Sequence, residues 1–195
     1  MKKYKVLFCD LDGTLIDTIT SKCESCTNNT SICADIDCTK YIKSDFPKGI
    51  WDMKFKFDVL DAIKKLNPEY VFIVSNQGGI EKGFVNKRNF EFKMEYIIRS
   101  IKEYLGYDVL VEYRYCPFND KDNQYRKPNI GMLVQLSEKY IQKNNPSPSM
   151  CNNDFLMIGD ASGLDGQFSD SDKMTAENFG IDYLDVNEFV ERYNK

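Results

Sequence analysis

Three short apolar runs, each broken off by polar or acidic residues, constrain this chain more than any other feature. They are residues 4–9 (YKVLFC) before Asp10, residues 70–74 (YVFIV) before Ser75-Asn76, and residues 155–158 (FLMI) before Gly159-Asp160. Apolar runs of this length, bounded by turn formers, suit strands buried on both faces of a sheet. Between them the period becomes helical. Phe57, Leu60, Ala62, Ile63 and Leu66 recur at helix spacing until Asn67-Pro68, and residues 90–105 carry a long amphipathic pattern stopped by Gly106. Residues 109–115 and 181–184 are β-prone, residues 130–141 and 172–179 read as helices, and 186–193 as a closing helix. Pro146 and Pro148 mark a surface loop.

Strands alternating with helices predict βαβ units, hence a doubly wound three-layer α/β/α sandwich on a mainly parallel, Rossmann-like sheet. The 195 residues suit one domain spanning 1–195. Within it, residues 18–47 are polar, rich in Cys, Thr and Asn, and lack a period, so they are expected to form a Cys-rich flap insert. In doubly wound sheets ligands sit beyond the carboxyl ends of the strands. Three of those ends carry Asp10/Asp12, Ser75/Asn76 and Asp160.

Composition removes several chemistries. The chain has no histidine, so Ser-His-Asp triads, Cys-His pairs, phosphohistidine intermediates and His-ligated metals are excluded. Catalysis must run on carboxylates, Lys, Cys, Ser or a metal held by oxygen or sulfur. A net charge of -4 gives no general attraction to nucleic acid, although Lys82, Lys87, Arg88, Lys121, Arg126 and Lys127 could form a local basic rim. No apolar run approaches the roughly 20 residues that span a bilayer, so no membrane partner is expected. The opening Met1-Lys2-Lys3 resembles the basic end of a signal peptide. Asp10 and Asp12 cut the following apolar stretch short, so a cytoplasmic location is expected.

Asp10 and Asp12 stand one residue apart where a strand ends, and Gly13 gives the backbone freedom to turn both into one crevice. Crowded carboxylates repel, so a site joining them to Asp160 needs a cation, and an all-oxygen donor set favours Mg²⁺.

Asp10-Leu11-Asp12-Gly13-Thr14 resembles the first motif of the haloacid dehalogenase (HAD) superfamily of aspartyl-phosphate phosphotransferases. Ser75 resembles the second motif, Lys127 in Arg126-Lys127-Pro128 the third, and Gly159-Asp160 the fourth, in order across residues 4–184. The resemblance implies a Mg²⁺-dependent phosphomonoester hydrolase with Asp10 as nucleophile and Asp12 as general acid and base. Ser75 and Lys127 would contact the phosphoryl group, and Asp10, Asp12 (through its carbonyl) and Asp160 would hold Mg²⁺. Thr14, Asn76 and Arg126, within or beside these motifs, are the substrate-binding candidates it suggests.

Two branches share the segments 75–80 and 126–132: polynucleotide 3'-phosphatases, and small-molecule phosphatases acting on histidinol phosphate or heptose bisphosphate. Gly159-Asp160-Ala161-Ser162-Gly163 followed by residues 168–173 (FSDSDK) looks like the polynucleotide branch, where Asp172 would add an acidic group beside the metal. The small-molecule branch often carries a Cys/His zinc loop before its Arg-Lys-Pro. Here only Tyr115-Cys116-Pro117 resembles its start, and residues 118–125 contain no Cys. The expected partner is therefore a 3'-phosphate nucleic-acid end, with a phosphosugar as the alternative and a monomer favoured. No Gly-x4-Gly-Lys-Ser/Thr loop occurs, so no kinase module is expected among these residues. Phe46, Trp51 and Phe84 could stack on a terminal base, but core or flap packing is the role expected of each.

Four of the seven cysteines, Cys23, Cys26, Cys33 and Cys38, fall inside the expected flap. Four thiolates at short spacing suit structural Zn²⁺, with free thiols or disulfides as alternatives. A reading of another class is a non-catalytic zinc-containing binding module. Keeping Asp10, Asp12, Ser75, Lys127 and Asp160 together argues against it.

Overall fold

The computed structural model describes residues 2–19, 46–144 and 153–195. The first apolar run becomes the central strand, β1 (Val6–Cys9), which pairs in parallel with β4 (Tyr70–Asn76) on one side and β6 (Phe155–Gly159) on the other. Outside these lie β5 (Leu110–Cys116) and β7 (Asp182–Asp185), giving a parallel sheet in the order β5-β4-β1-β6-β7. Every residue of β1 and β6 is buried, as expected of unbroken apolar runs covered on both faces.

Strand alternation divides the core in two. Leu7, Cys9, Val71, Ile73, Leu156 and Ile158 pack with α1 (Phe57–Leu66), α2 (Lys87–Leu105) and α5 (Val186–Tyr193). Val6, Phe8, Tyr70, Phe72, Phe155 and Met157 join the opposite core, beneath α3 (Gly131–Asn144) and α4 (Ser171–Phe179). The result is the expected α/β/α sandwich. Local signals set the helix ends: Asn67 closes α1 in the left-handed conformation (φ 54). The Asn86 side chain accepts from Arg88 N and Asn89 N, starting α2 three residues before its apolar pattern does.

Register places the site. Cys9 lies opposite both Ile73 and Ile158, so the residues just beyond them (Asp10, Val74-Ser75 and Gly159-Asp160) emerge at one edge of the sheet. Asp10 N still donates to Ile158 O at 3.0 Å, which holds that residue against β6.

The insert expected from residue 18 is flanked by ordered backbone. Antiparallel strands β2 (Ile16–Thr18) and β3 (Met53–Phe55) form a ribbon preceded by one 3₁₀ turn, Ile50–Asp52. Strands of three residues carry too little pattern to be seen in sequence. Asp52 secures the turn by accepting from Lys48 N and Gly49 N, each at 2.9 Å. Residues 20–45 of the expected 18–47 insert, with Cys23, Cys26, Cys33 and Cys38, lie outside the described residues. Among the described residues Cys9 and Cys116 are buried free thiols, and no helix is long and apolar enough to cross a membrane.

Phe8 tests the packing beneath the site. It has no exposed surface and meets Phe72, Phe155 and Phe179 at ring-centroid distances of 5.5, 5.9 and 6.1 Å. Phe8→Ala is expected to lower unfolding free energy by about 3–5 kcal/mol in urea denaturation. A loss under about 1 kcal/mol would contradict this packing.

Candidate active site

The edge of the sheet gathers three carboxylates around one ammonium. Asp10 follows β1, Asp160 follows β6, Asp172 sits in the first turn of α4, and Lys127 lies in the loop between β5 and α3. Lys127 Nζ donates to Asp10 Oδ1 at 2.5 Å, Asp172 Oδ1 at 2.6 Å and Val74 O at 3.0 Å, and is almost wholly buried. Its three donors are thus all used. One carboxylate oxygen from each of Asp10, Asp160 and Asp172 falls within 4.8 Å of the others. Asp172 Oδ2 also accepts from Ala161 N at 3.2 Å.

Two glycines allow this crowding. A Cβ at Gly13, where φ is +89°, would stand 2.2 Å from Asp160 Oδ2, and one at Gly159 would stand 2.2 Å from Asp172 Oδ2. Their side-chain space is occupied by carboxylates.

Three carboxylates against one ammonium leave two uncompensated negative charges when all are ionised. Burial pushes the Asp10 carboxyl well above the usual range; Lys127 draws it down, while Asp172 and Asp160 push it further up. Burial, then the charge of Asp172, raises Asp160 to about 6. Burial alone would lower the Lys127 ammonium, but Asp10 and Asp172 outweigh it and hold its pKa above the ordinary lysine value. The excess charge and the oxygen-only donor set fit a hard divalent cation.

Asp12 is placed differently. Its Oδ2 accepts from Gln77 Nε2 at 2.6 Å, and the same amide donates to Ser75 Oγ at 2.8 Å. Gln77 therefore ties Asp12 to Ser75. Asp12 Oδ1 has no hydrogen-bond partner among the described residues, but lies 3.6 Å from Lys93 Nζ.

The suggested substrate contacts fare less well. Thr14 is wholly buried, its hydroxyl without a hydrogen-bond partner among the described residues. The Asn76 amide is closed on the backbone of Lys127, accepting from its N–H at 2.9 Å and donating to its carbonyl at 3.0 Å. Asn76 thus fixes the Lys127 loop to β4. An Arg126 guanidinium nitrogen donates to Phe118 O at 2.9 Å. Lys127 is inside the carboxylate cluster and so leaves the expected basic rim, whereas Lys82, Lys87, Arg88 and Lys121 are exposed. Phe46, Trp51 and Phe84 are 48%, 59% and 68% exposed, so none belongs to the core, and the Phe46 ring meets that of Phe168 edge-on at 6.3 Å.

Three contributors escape sequence reasoning. Gln77 stood in a recognised motif without a role, and Lys56 donates to Gly13 O at 2.8 Å, bracing the turn after Asp12. The third is Lys93, whose one signal was its place on the apolar stripe of α2.

Comparison with known proteins agrees with this fold. The family model described as polynucleotide kinase 3 phosphatase matches residues 5–190. A Thermoplasma volcanium protein described as "Probable D-glycero-D-manno-heptose-1,7-bisphosphate 7-phosphatase" is 25% identical over 168 residues, covering 85% of this chain and 91% of that one. The crystal structure of a protein described as a HAD-like phosphatase from Mesorhizobium loti aligns with TM-score 0.55 and 19% identity over 93% of this chain and 71% of that one. D,D-heptose 1.7-bisphosphate phosphatase from B. bronchiseptica, solved with magnesium and phosphate, aligns with TM-score 0.55 and 17% identity over 96% of this chain and 97% of that one. At these identities the two structures speak to the fold.

The raised carboxyl pKa values give a pH signature. Between 3.8, the ordinary value, and about 6, Asp160 keeps its proton in the folded state more than in the unfolded chain. Stability contributed by this site therefore falls as pH rises through that window, and the repulsion is fully present above it. A divalent cation relieves that repulsion, so it is expected to raise Tm more at pH 7 than at pH 5 in thermal denaturation. Equal shifts at the two pH values would contradict this electrostatic picture.

Proposed function

The chain belongs to the polynucleotide kinase 3 phosphatase family of HAD-type phosphatases, and on that premise we propose that it is a Mg²⁺-dependent phosphomonoesterase removing 3'-phosphates from nucleic-acid ends. The observation that carries the chemistry is the Lys127 ammonium shared by Asp10 and Asp172 with Asp160 alongside. Asp10, Asp160 and the backbone carbonyl of Asp12, with Asp172 adjacent, would hold Mg²⁺, which would shield the nucleophile's charge and polarise the phosphoryl group.

The chain's own groups account for the rest. An Asp10 carboxylate oxygen attacks phosphorus in line, the bond to the leaving oxygen breaks, and Asp12 gives that oxygen its proton, releasing an alcohol. Water then attacks the aspartyl phosphate, passes its proton to Asp12, and frees inorganic phosphate as the Asp10 carboxylate is restored. Ser75 donates to a phosphoryl oxygen, while Lys127 restrains Asp10 and neutralises charge on the same group.

The polynucleotide substrate rests on the family match over nearly the whole chain and on the exposed Phe46, Trp51 and Phe84, which suit base stacking. A second reading, the same chemistry on a phosphosugar, is favoured by the heptose-bisphosphate name of the Thermoplasma relative. Cys23, Cys26, Cys33 and Cys38 are proposed as a structural zinc site ordering the insert.

Phosphate release from a 3'-phosphorylated oligonucleotide, measured beside a panel of phosphosugars, is expected to be faster on the oligonucleotide and abolished by EDTA. Asp10→Asn is expected to cost at least about a thousandfold in kcat. Preference for phosphosugars would select the second reading, and an unimpaired Asp10→Asn would overturn the chemistry. For the cysteines, metal analysis is expected to find zinc bound, and its removal to lower Tm more than kcat. Zinc-free protein of unchanged Tm would remove that assignment.

A further inference from the structure

Helix α2 buries Phe90, Met94, Ile97 and Ile101, and among them a lysine. Lys93 follows Phe90 by three residues, on the same side of the helix, and has no exposed surface. A buried ammonium is strongly disfavoured without acceptors and an opposing charge. Lys93 has both: Nζ donates to Pro47 O at 2.8 Å and lies 3.6 Å from Asp12 Oδ1. It also stands 5.3 Å from the centroid of the Phe90 ring.

We propose that Lys93 is a positioning residue for the reaction: its ammonium, itself held by the Pro47 carbonyl, fixes the Asp12 carboxyl group for proton transfer. The inference rests on the reading of Asp12 as general acid and base, and extends it to a residue outside every phosphatase motif recognised in the sequence. Gln77 holds Asp12 Oδ2, whereas Oδ1 is buried without a hydrogen bond. Lys93 is the cation opposite Oδ1 among the described residues. Removing it leaves Oδ1 facing apolar helix, and the carboxyl group loses one of the two groups that set its orientation. Pro47 supplies the second half. It belongs to the described segment immediately after residues 20–45, next to the Lys48 and Gly49 amides that Asp52 holds.

This role has a kinetic signature that lost packing lacks. Proton donation matters most when the leaving oxygen is strongly basic and little when it is a stable phenolate. With Mg²⁺ present, kcat/KM for p-nitrophenyl phosphate and for glycerol 2-phosphate reports the first displacement on a weakly and a strongly basic leaving group. Lys93→Met is expected to lower the glycerol 2-phosphate value about tenfold or more beyond any loss on the aryl ester. Lys93→Arg is expected to restore most of the difference. In an Asp12→Asn background, where no acid remains to orient, Lys93→Met is expected to add no further leaving-group dependence. That double variant also removes both members of the buried pair, so it tests the inference even if the single variant fails to fold.

Equal losses on both esters, or a full additional effect of Lys93→Met in the Asp12→Asn background, would overturn the positioning role while leaving Asp12 as acid and base. An Asp12→Asn enzyme with no leaving-group dependence of its own would overturn both.

Discussion

The structure depends on placing one buried ammonium among carboxylates that would otherwise repel one another apart. Lys127 reaches this position because Asn76 clamps its backbone to the end of β4, and its charge holds Asp10 and Asp172 against each other. The sheet register supplies Asp10 and Asp160 at one edge, and α4 supplies Asp172. Breaking a buried pair by removing one partner typically costs about 3–5 kcal/mol, so the cluster is as much a stability constraint as a site. The charge left over is what a divalent cation would satisfy.

Around this centre the polar groups form two linked systems. One is the Lys127 cluster. The other runs from Lys93 through Asp12 and Gln77 to Ser75, all nearly without exposed surface. The first holds the carboxylate proposed to bond phosphorus; the second holds the one proposed to move protons. Ser162 plays a supporting part, donating to Asp185 Oδ2 at 2.7 Å while Tyr183 donates to Gly159 O at 3.0 Å, which secures the turn carrying Asp160. Hydrogen bonds from Ser162, Asn187 and Gln167 outweigh burial and keep the Asp185 carboxyl below its ordinary range.

Much of this was legible in the sequence because the signals were local. Unbroken apolar runs gave the central strands, and Asn67-Pro68 and Gly106 gave the ends of α1 and α2. Asp10, Asp12 and Asp160 lay in turns after apolar strands, while Ser75, at the end of β4, and Lys127 were marked by their resemblance to the phosphatase motifs. What could not be read required knowledge of what sits opposite. Asn76 looks like a free polar residue at a strand end until the Lys127 loop folds onto it. Lys93 looks like a solvated helix lysine unless its place on the apolar stripe is noticed, and only the fold brings Asp12 and Pro47 to it. The β2–β3 ribbon was invisible because three-residue strands have no period to detect.

The central claim, that distant carboxylates converge on one cation beside Asp10, is tested most directly by titrating Mn²⁺ as a paramagnetic probe into the metal-free enzyme and following free ion by electron paramagnetic resonance. One tight ion per chain is expected, with affinity sharply reduced in Asp160→Asn and little changed in Lys121→Ala at the exposed surface. Equal Mn²⁺ affinity in the wild type and in Asp160→Asn would contradict the account.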